Sequence, residues 1–252
     1  MIASLKIFLC YALLSPIAGL LGFPWTWITG DITFLYRFSM WIAALGIRAA
    51  GIGVEVEGLE NFPADRACII MANHVSNLDP PVLLPLVPGR TAVFVKKVLM
   101  KIPFIGMGMR MGGFVPVERS GSREAAIESI RRARAVLASG VHITSFPEGT
   151  RSRSGTMLPF KKGPFYLAQE TNAPIIPVSI YGTEAMMRKG SLAITPGVAH
   201  VHFHPPVFAA DFPAREALMD AVRRAIAEGL PEWMRGQWQA GAESGNSKSR
   251  SG

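Results

Sequence analysis

The chain of 252 residues is long enough for one sizeable domain with an appendage, and its hydrophobic content of 49% is high for a soluble enzyme. The net charge is +8, but the basic residues are dispersed and no nucleic-acid-binding motif is evident, so nucleic acid is not expected as a partner. The two cysteines, Cys10 and Cys68, are too few for a disulfide framework.

The first 53 residues are predicted to form two apolar helices that associate with a membrane. No residue between Lys6 and Asp31 is charged, which matches the roughly 20 apolar residues needed to cross a bilayer core. Pro16 and Pro24 are expected to kink or end this first helix. A second apolar stretch follows at residues 38–54.

The two N-terminal helices could be arranged in two ways, which the sequence leaves open. They could form a hairpin that spans the membrane, or they could lie together in one leaflet. The basic net charge favours contact with anionic lipid head groups on the cytoplasmic side. We therefore expect the chain at the inner membrane, with its catalytic domain on the cytoplasmic face.

Residues 54–235 are predicted to form an α/β domain with a mixed, mostly parallel sheet flanked by helices. Short apolar runs alternate there with helical patterns, and a polar tail at 236–252 is expected to be disordered. The strands are expected at 67–72, 92–95, 114–117, 141–146, 174–180 and 198–203. The prolines of the 174–180 run suggest an edge strand or an irregular one.

The stretch from Asn73 to Pro80 is the principal candidate site, because it follows the predicted strand 67–72. His74 and Asp79 are five residues apart, so on a continuous helix they would point about 140° away from each other. Ser76, Asn77 and Pro80 favour a turn instead, and a loop that doubles back could bring the carboxylate onto the ring.

An aspartate in that position would fix the histidine tautomer and leave the other ring nitrogen free to take a proton. His74 is therefore a candidate general base. The alternative is that Asp79 caps the next helix and that His74 is merely packed.

Two further segments carry charged candidates. Arg119 follows the predicted strand 114–117 and presents a fork for phosphate or carboxylate, with a plain surface salt bridge as the alternative. A polar loop at 146–155 contains Glu148, Gly149 and Arg151. Arg151 could complete a phosphate clamp with Arg119, and Glu148 could hold Arg151 or bind a substrate hydroxyl. By itself such a loop could equally be an ordinary turn.

Three histidines alternate along the predicted strand 198–203 and its end, namely His200, His202 and His204. Three ligands spaced by two along one extended strand point roughly parallel and diverge from a tetrahedral centre. A solvated strand face is therefore expected, and no metal site.

Four stretches together resemble the glycerolipid acyltransferases, the family of 1-acylglycerol-3-phosphate acyltransferases. They are the His-x4-Asp stretch at 73–80, the block from Gly113 to Arg119, the Phe-Pro-Glu-Gly-Thr-Arg-Ser stretch at 146–152, and Ile-Ile-Pro-Val at 175–178. Their order and spacing also match, over roughly residues 54–210. Pro116 departs from the pattern, since many relatives carry an aliphatic residue there.

The resemblance implies transfer of an acyl group from acyl-CoA or acyl-carrier protein, as co-substrate, to a lysophospholipid hydroxyl, with no cofactor. His74 would take the hydroxyl proton, and Asp79 would orient its ring. The implied substrate-binding residues are Lys97, Arg119, Glu148, Gly149, Thr150 and Arg151, with the cations binding the acceptor phosphate.

Two other functions remain open from the residues. The acceptor could be another lysolipid, such as a lyso-ornithine lipid, because a carboxylate suits the same arginine forks. More remotely, the chain could be a membrane-tethered lipid-binding protein without turnover.

Overall fold

A seven-stranded sheet organises the domain, as the sequence predicts for a mixed, mostly parallel α/β fold. The computed structural model describes residues 2–63, 65–117 and 122–236. Its strands are β1 (Ile52–Glu57), β2 (Ile69–Ala72), β3 (Thr91–Lys96), β4 (Val115–Val117), β5 (His142–Ser145), β6 (Ile175–Tyr181) and β7 (Gly197–Phe203). Their order across the sheet is β1-β7-β6-β2-β5-β3-β4.

The strand directions confirm the predicted fold class. The block β6-β2-β5-β3-β4 is parallel throughout, while β7 runs antiparallel to β6 and parallel to β1. All five strands of the parallel block therefore end at one edge of the sheet, where loops that carry chemistry usually gather.

Helices cover both faces of the sheet. They are α1 (Ile2–Thr29), α2 (Thr33–Ala49), α3 (Asp79–Leu83), α4 (Ile105–Met111), α5 (Arg123–Ala138), α6 (Gly163–Thr171), α7 (Thr183–Met186) and α8 (Arg215–Glu228). Alternation along β2 sends Ile70 towards a core shared with α1, α2 and α3, and Ile69 towards a core shared with α5, α6 and α8. Both side chains are fully buried.

The strand β6 lies inside the sheet, between β2 and β7, so of the two predicted alternatives the edge strand is wrong. The irregular strand is confirmed, because pairing along β6 is interrupted. Pro177 is tolerated because it falls where pairing on one side is interrupted. An isolated bridge joins Ile175 to Val207, the antiparallel ladder with β7 begins only at Val178, and the Pro177 carbonyl accepts a hydrogen bond from the backbone of His204.

The helix α1 runs unbroken through Pro16 and Pro24, so the prolines do not end it. Its inner side packs on α2 at very close range, since an added Cβ at Gly46 would lie 2.3 Å from a ring carbon of Tyr11. Packing of this kind supports a helix that has lost two backbone donors. Within the described residues α1 is the helix long and apolar enough to cross a membrane.

The N-terminal helices share a core with the domain. Ala3 and Ile7 of α1 and Ile47 of α2 belong to the same buried cluster as Ile70 of β2. This core crosses the predicted boundary between the N-terminal helices and the α/β domain near residue 53. The boundary therefore stays a prediction. The predicted disordered tail lies, from residue 237 onward, outside the described residues.

Candidate active site

The site lies at the carboxyl edge of three neighbouring strands. His74 follows β2, Glu148 follows β5, and Thr183 follows β6, and β2 pairs with both of the others. Asn73 ties two of these ends together, because its side chain exchanges two hydrogen bonds of 2.8 Å with the backbone of Ile180. Three segments distant in sequence therefore meet around one imidazole.

His74 and Asp79 make the contact expected from the sequence. The loop between them doubles back at the start of α3, and His74 Nδ1 lies 2.7 Å from Asp79 Oδ2. A carboxylate can only accept here, so Nδ1 carries the proton, and in the neutral ring Nε2 holds a lone pair. Asp79 makes no side-chain cap for α3, which was the alternative.

Asp79 is fully buried and its oxygens are well supplied with donors. Its Oδ2 also accepts from the backbone nitrogens of Val75 and Ser76, each at 2.8 Å, and its Oδ1 accepts from Thr183 Oγ1 at 2.6 Å. A buried carboxylate is tolerated only when it is hydrogen-bonded in this way. The donors fix the plane of the carboxylate and hence the orientation of the His74 ring.

Thr183 is a site residue that sequence reasoning missed. It is 104 positions from Asp79 and reaches it only because β6 lies beside β2. The preceding Gly182 has φ +91°, and an added Cβ there would lie 2.4 Å from the carbonyl oxygen of Val198. A Gly-Thr pair after a predicted strand was the only local signal.

The His74 ring stacks on Phe146, with centroids 4.3 Å apart and an interplanar angle of 27°. The side chain is 17% exposed. No hydrogen bond from the described residues reaches its Nε2. The ring is therefore held on one nitrogen and one face, while the other nitrogen is open to a ligand.

Glu148 is buried, and both of its oxygens are used by backbone donors. Oε1 accepts from the nitrogen of His74 and Oε2 from the nitrogen of Leu158, each at 2.8 Å. From the sequence, Arg151 or a substrate hydroxyl was the expected partner. In the structure Glu148 instead fastens the backbone of His74 to the loop that follows β5.

Arg151 lies in the same loop, and the next residue, Ser152, donates its backbone nitrogen to the His74 carbonyl at 2.9 Å. Arg151 Nη1 is buried and has no hydrogen-bond partner among the described residues. An unpaired buried donor on a permanent cation is rare in a folded protein, and an anionic ligand would satisfy it. Arg151 is therefore a candidate ligand for a phosphate or carboxylate.

Other residues position the backbone of this loop around Arg151. Gly149 turns the chain with φ +68°, a conformation that favours glycine. Lys189, which the sequence did not single out, donates to the carbonyl of Arg151 at 2.7 Å and lies 3.4 Å from Thr150 Oγ1. Lys189 therefore braces the Thr150–Arg151 backbone from the segment after α7.

The other two predicted cations follow the strands β3 and β4 in the sequence. Lys97 opens a short 3-10 helix, Lys97–Lys101, directly after β3. Arg119 lies outside the described residues, two positions beyond the end of β4. Because β3 belongs to the parallel block, Lys97 follows the edge on which His74 lies.

The three alternating histidines are not a uniformly solvated face. His204 is buried, with Nε2 2.7 Å from Ser179 Oγ, and burial lowers its pKa to about 4. His200 pairs with Glu55 at 3.0 Å. Within the described residues no group of three or more histidine, cysteine or acidic side chains is arranged to hold a metal.

The ionisation of Glu148 gives a pH-dependent stability. Burial raises its pKa to about 7 from 4.5, against the opposing pull of its backbone donors. The folded state therefore keeps a proton that the unfolded chain has lost, and the stabilisation is fully present below pH 4.5 and lost as the pH rises through 7. Relative to Glu148→Gln, which cannot ionise, we expect the free energy of unfolding to fall by about 2–3 kcal/mol over this range.

Denaturant unfolding of the two proteins in one detergent, at pH values on both sides of this window, measures the effect. A stability difference that stays constant with pH would show that folding does not raise the pKa of Glu148.

Comparison of the whole chain with known proteins agrees with the geometry of the site. The family model described as Acyltransferase matches residues 53–181. The 1-acyl-sn-glycerol-3-phosphate acyltransferase of Limnanthes douglasii is 31% identical over 214 residues, which are 82% of this chain and 74% of the relative. The chloroplastic 1-acyl-sn-glycerol-3-phosphate acyltransferase of Brassica napus is 36% identical over 179 residues, 70% of this chain, but the match spans only 50% of that relative.

A solved structure agrees over nearly the full length. The crystal structure of the 1-acyl-sn-glycerophosphate acyltransferase PlsC from Thermotoga maritima matches with a TM-score of 0.79 and 29% identity, covering 94% of this chain and 97% of that one. Since the family model covers half of the sequence and the fold agrees around the same strands, the chain belongs to the acyltransferase family.

Proposed function

We propose that this protein transfers a fatty acyl group from acyl-CoA or acyl-carrier protein to the free hydroxyl of 1-acylglycerol-3-phosphate, giving phosphatidic acid. The observation that carries the proposal is the buried, fully hydrogen-bonded Asp79 that holds His74 with Nε2 open. The names of the relatives supply the substrate class. No covalent acyl-enzyme is required, because the donor thioester is already activated.

The chemistry follows from the lone pair on Nε2 of His74. The acceptor hydroxyl gives its proton to Nε2 while its oxygen forms a bond to the thioester carbonyl carbon. The carbon–sulfur bond then breaks, and the departing thiolate takes the proton back from the imidazolium. Asp79 stabilises the imidazolium between these steps and keeps the ring in place.

Phosphate binding is assigned to the cations at the same edge. Arg151, with its buried unpaired Nη1, is the principal ligand, and Arg119 and Lys97, which follow β4 and β3 in the sequence, would add charge. A phosphate fixed there would hold the acceptor hydroxyl near His74, an entropic contribution to the rate that can be large. Gly149 and Thr150 shape this pocket, and Glu148 acts through the backbone of His74.

Association with a membrane fits both the substrates and the helix α1. The outward side of α1 is apolar and exposed along its whole length, from Ile2 to Ile28, whereas Ala3, Ala18 and Phe23 face inward. Its partner α2 is in turn fastened to the sheet, since Tyr36 Oη accepts from the backbone of Thr91. We therefore favour a helix pair lying in the cytoplasmic leaflet of the inner membrane over a spanning hairpin.

The first test is an acceptor panel assayed with purified protein in detergent. With 1-acylglycerol-3-phosphate and acyl-CoA or acyl-carrier protein, turnover should fall about 10²–10⁴-fold in His74→Ala, because positioned base catalysis is lost. His202→Ala, a half-buried histidine on β7, is the matched control. Turnover that survives in His74→Ala would remove the mechanism. If the enzyme preferred a lyso-ornithine lipid, that lipid would replace 1-acylglycerol-3-phosphate as the proposed acceptor. If no lysolipid were turned over, a lipid-binding protein without activity would be favoured.

The second test concerns Arg151. Arg151→Ala should raise the KM for 1-acylglycerol-3-phosphate about 10- to 100-fold, since a charge-assisted hydrogen bond is typically worth about 1.5–3 kcal/mol. The KM for the acyl donor should change little. Arg153→Ala, an exposed arginine two positions further on, is the control. Equal changes in the KM values for the acceptor and the donor would show that Arg151 has a structural role rather than a role in binding phosphate.

The third test concerns Thr183 as a positioning residue. Thr183→Val keeps the shape but removes the donor to Asp79 Oδ1, so kcat should fall about 10- to 100-fold while both KM values stay near those of the wild type. Thr183→Ser retains the hydroxyl and should restore kcat. If both variants lost activity equally, with lowered melting temperatures, packing of the side chain would explain the effect.

A further inference from the structure

A second apolar surface lies outside the N-terminal helices, at residues 98–105. Five large apolar side chains are exposed within these eight positions: Val98 by 61%, Leu99 by 37%, Ile102 by 41%, Phe104 by 72% and Ile105 by 53%. Elsewhere in the described residues after 53, exposed large apolar side chains stand singly. A concentration of this kind on a folded domain marks an interaction surface.

The surface is held rigidly in its exposed form. Gly106 approaches Met100 so closely that an added Cβ would lie 2.1 Å from the Met100 carbonyl oxygen, and Arg110 donates to the same oxygen at 2.7 Å. Phe104 has φ +60°, a backbone conformation that non-glycine residues rarely adopt. The chain thus fixes Phe104 outward, and strained positions of this kind often mark functional sites.

The charge around this surface has one sign. From Thr91 to Val117 the sequence contains Lys96, Lys97, Lys101 and Arg110 and no acidic residue. Basic side chains interleaved with exposed aliphatic and aromatic ones match a bilayer interface, where anionic head groups lie above the acyl chains.

The surface also adjoins the helix that faces lipid. Met107 and Met111 of α4, just beyond residue 105, pack against the cluster that contains Phe23 of α1. At Gly108 an added Cβ would lie 3.8 Å from the ring of Phe23. Residues 98–105 therefore adjoin α1 through α4, which packs on the inward side of that helix.

We propose that residues 98–105 form a second membrane-docking surface, which inserts Phe104 and its apolar neighbours among anionic lipids. The surface begins at the carboxyl end of β3, on the sheet edge that carries His74. Docking there brings this edge to the head-group level. That the edge thereby receives its lipid acceptor from the membrane rests on the proposed function, whereas the docking itself does not.

A fluorescence experiment on the full chain tests the docking. Two isoleucines of similar exposure serve as reporter and control: Ile105, at 53%, and Ile127, at 58%, on α5 over the opposite face of the sheet. Each is replaced by cysteine in a Cys10→Ser background and labelled with an environment-sensitive dye. Cys68 stays unlabelled because it is fully buried, and burial raises its pKa to about 12.

Vesicles of phosphatidylcholine, with and without phosphatidylglycerol, are then added without substrate. The dye at Ile105→Cys should shift to the blue and brighten several-fold, more strongly with phosphatidylglycerol, while the dye at Ile127→Cys stays as in water. Equal spectra at both positions, or no binding to vesicles, would overturn the proposal.

A shift at Ile105→Cys without vesicles would also overturn the proposal. If that shift grew with protein concentration it would assign the surface to a second copy of the chain, and if it required acyl-carrier protein it would assign the surface to that acidic partner. Because no turnover is measured, loss of acyltransferase activity and loss of docking are separate outcomes.

Discussion

The active centre depends on keeping one carboxylate charged in the absence of solvent. Asp79 is fully buried, and removing a carboxylate from water costs several kcal/mol unless donors replace the water. Here the ring of His74, two backbone nitrogens and the Thr183 hydroxyl replace it. Each of these contacts also restricts the carboxylate, so the interactions that make its burial tolerable are the same ones that aim the imidazole.

The surroundings of His74 extend this principle from the side chain to the backbone. Its nitrogen donates to Glu148 and its carbonyl accepts from Ser152, so the loop after β5 grips the histidine on both sides of its Cα. Arg151 lies between those two gripping residues. The backbone of Arg151 is therefore held close to the candidate base by one side-chain contact, from Glu148, and one peptide contact, from Ser152.

The apolar side of the molecule is built on one face of the same sheet. The face that carries Ile70 is covered by α1 and α2, which present apolar side chains outward, and α4 packs beside them from the end of β3. The proposed acceptor and product both prefer lipid, so a site close to a membrane surface would spare either molecule a transfer into water. The net charge of +8 acts in the same direction at an anionic surface.

Local patterns in the sequence were sufficient for six of the seven strands, the fold class, the return of the loop from His74 to Asp79, and the resemblance to the acyltransferases. Such features depend on residues close together in the chain, through hydrophobic periodicity and turn chemistry. The same patterns missed β1, Ile52–Glu57, whose first residues fall in the apolar stretch 38–54 that was predicted to be helical. The tertiary structure alone decided that β6 lies beside β2, that Thr183 meets Asp79 from 104 positions away, and that Glu148 bonds to the backbone of His74. Periodicity shows which face of a strand is buried but not which strand becomes its neighbour, and each of these contacts joins neighbouring strands or the segments that follow them.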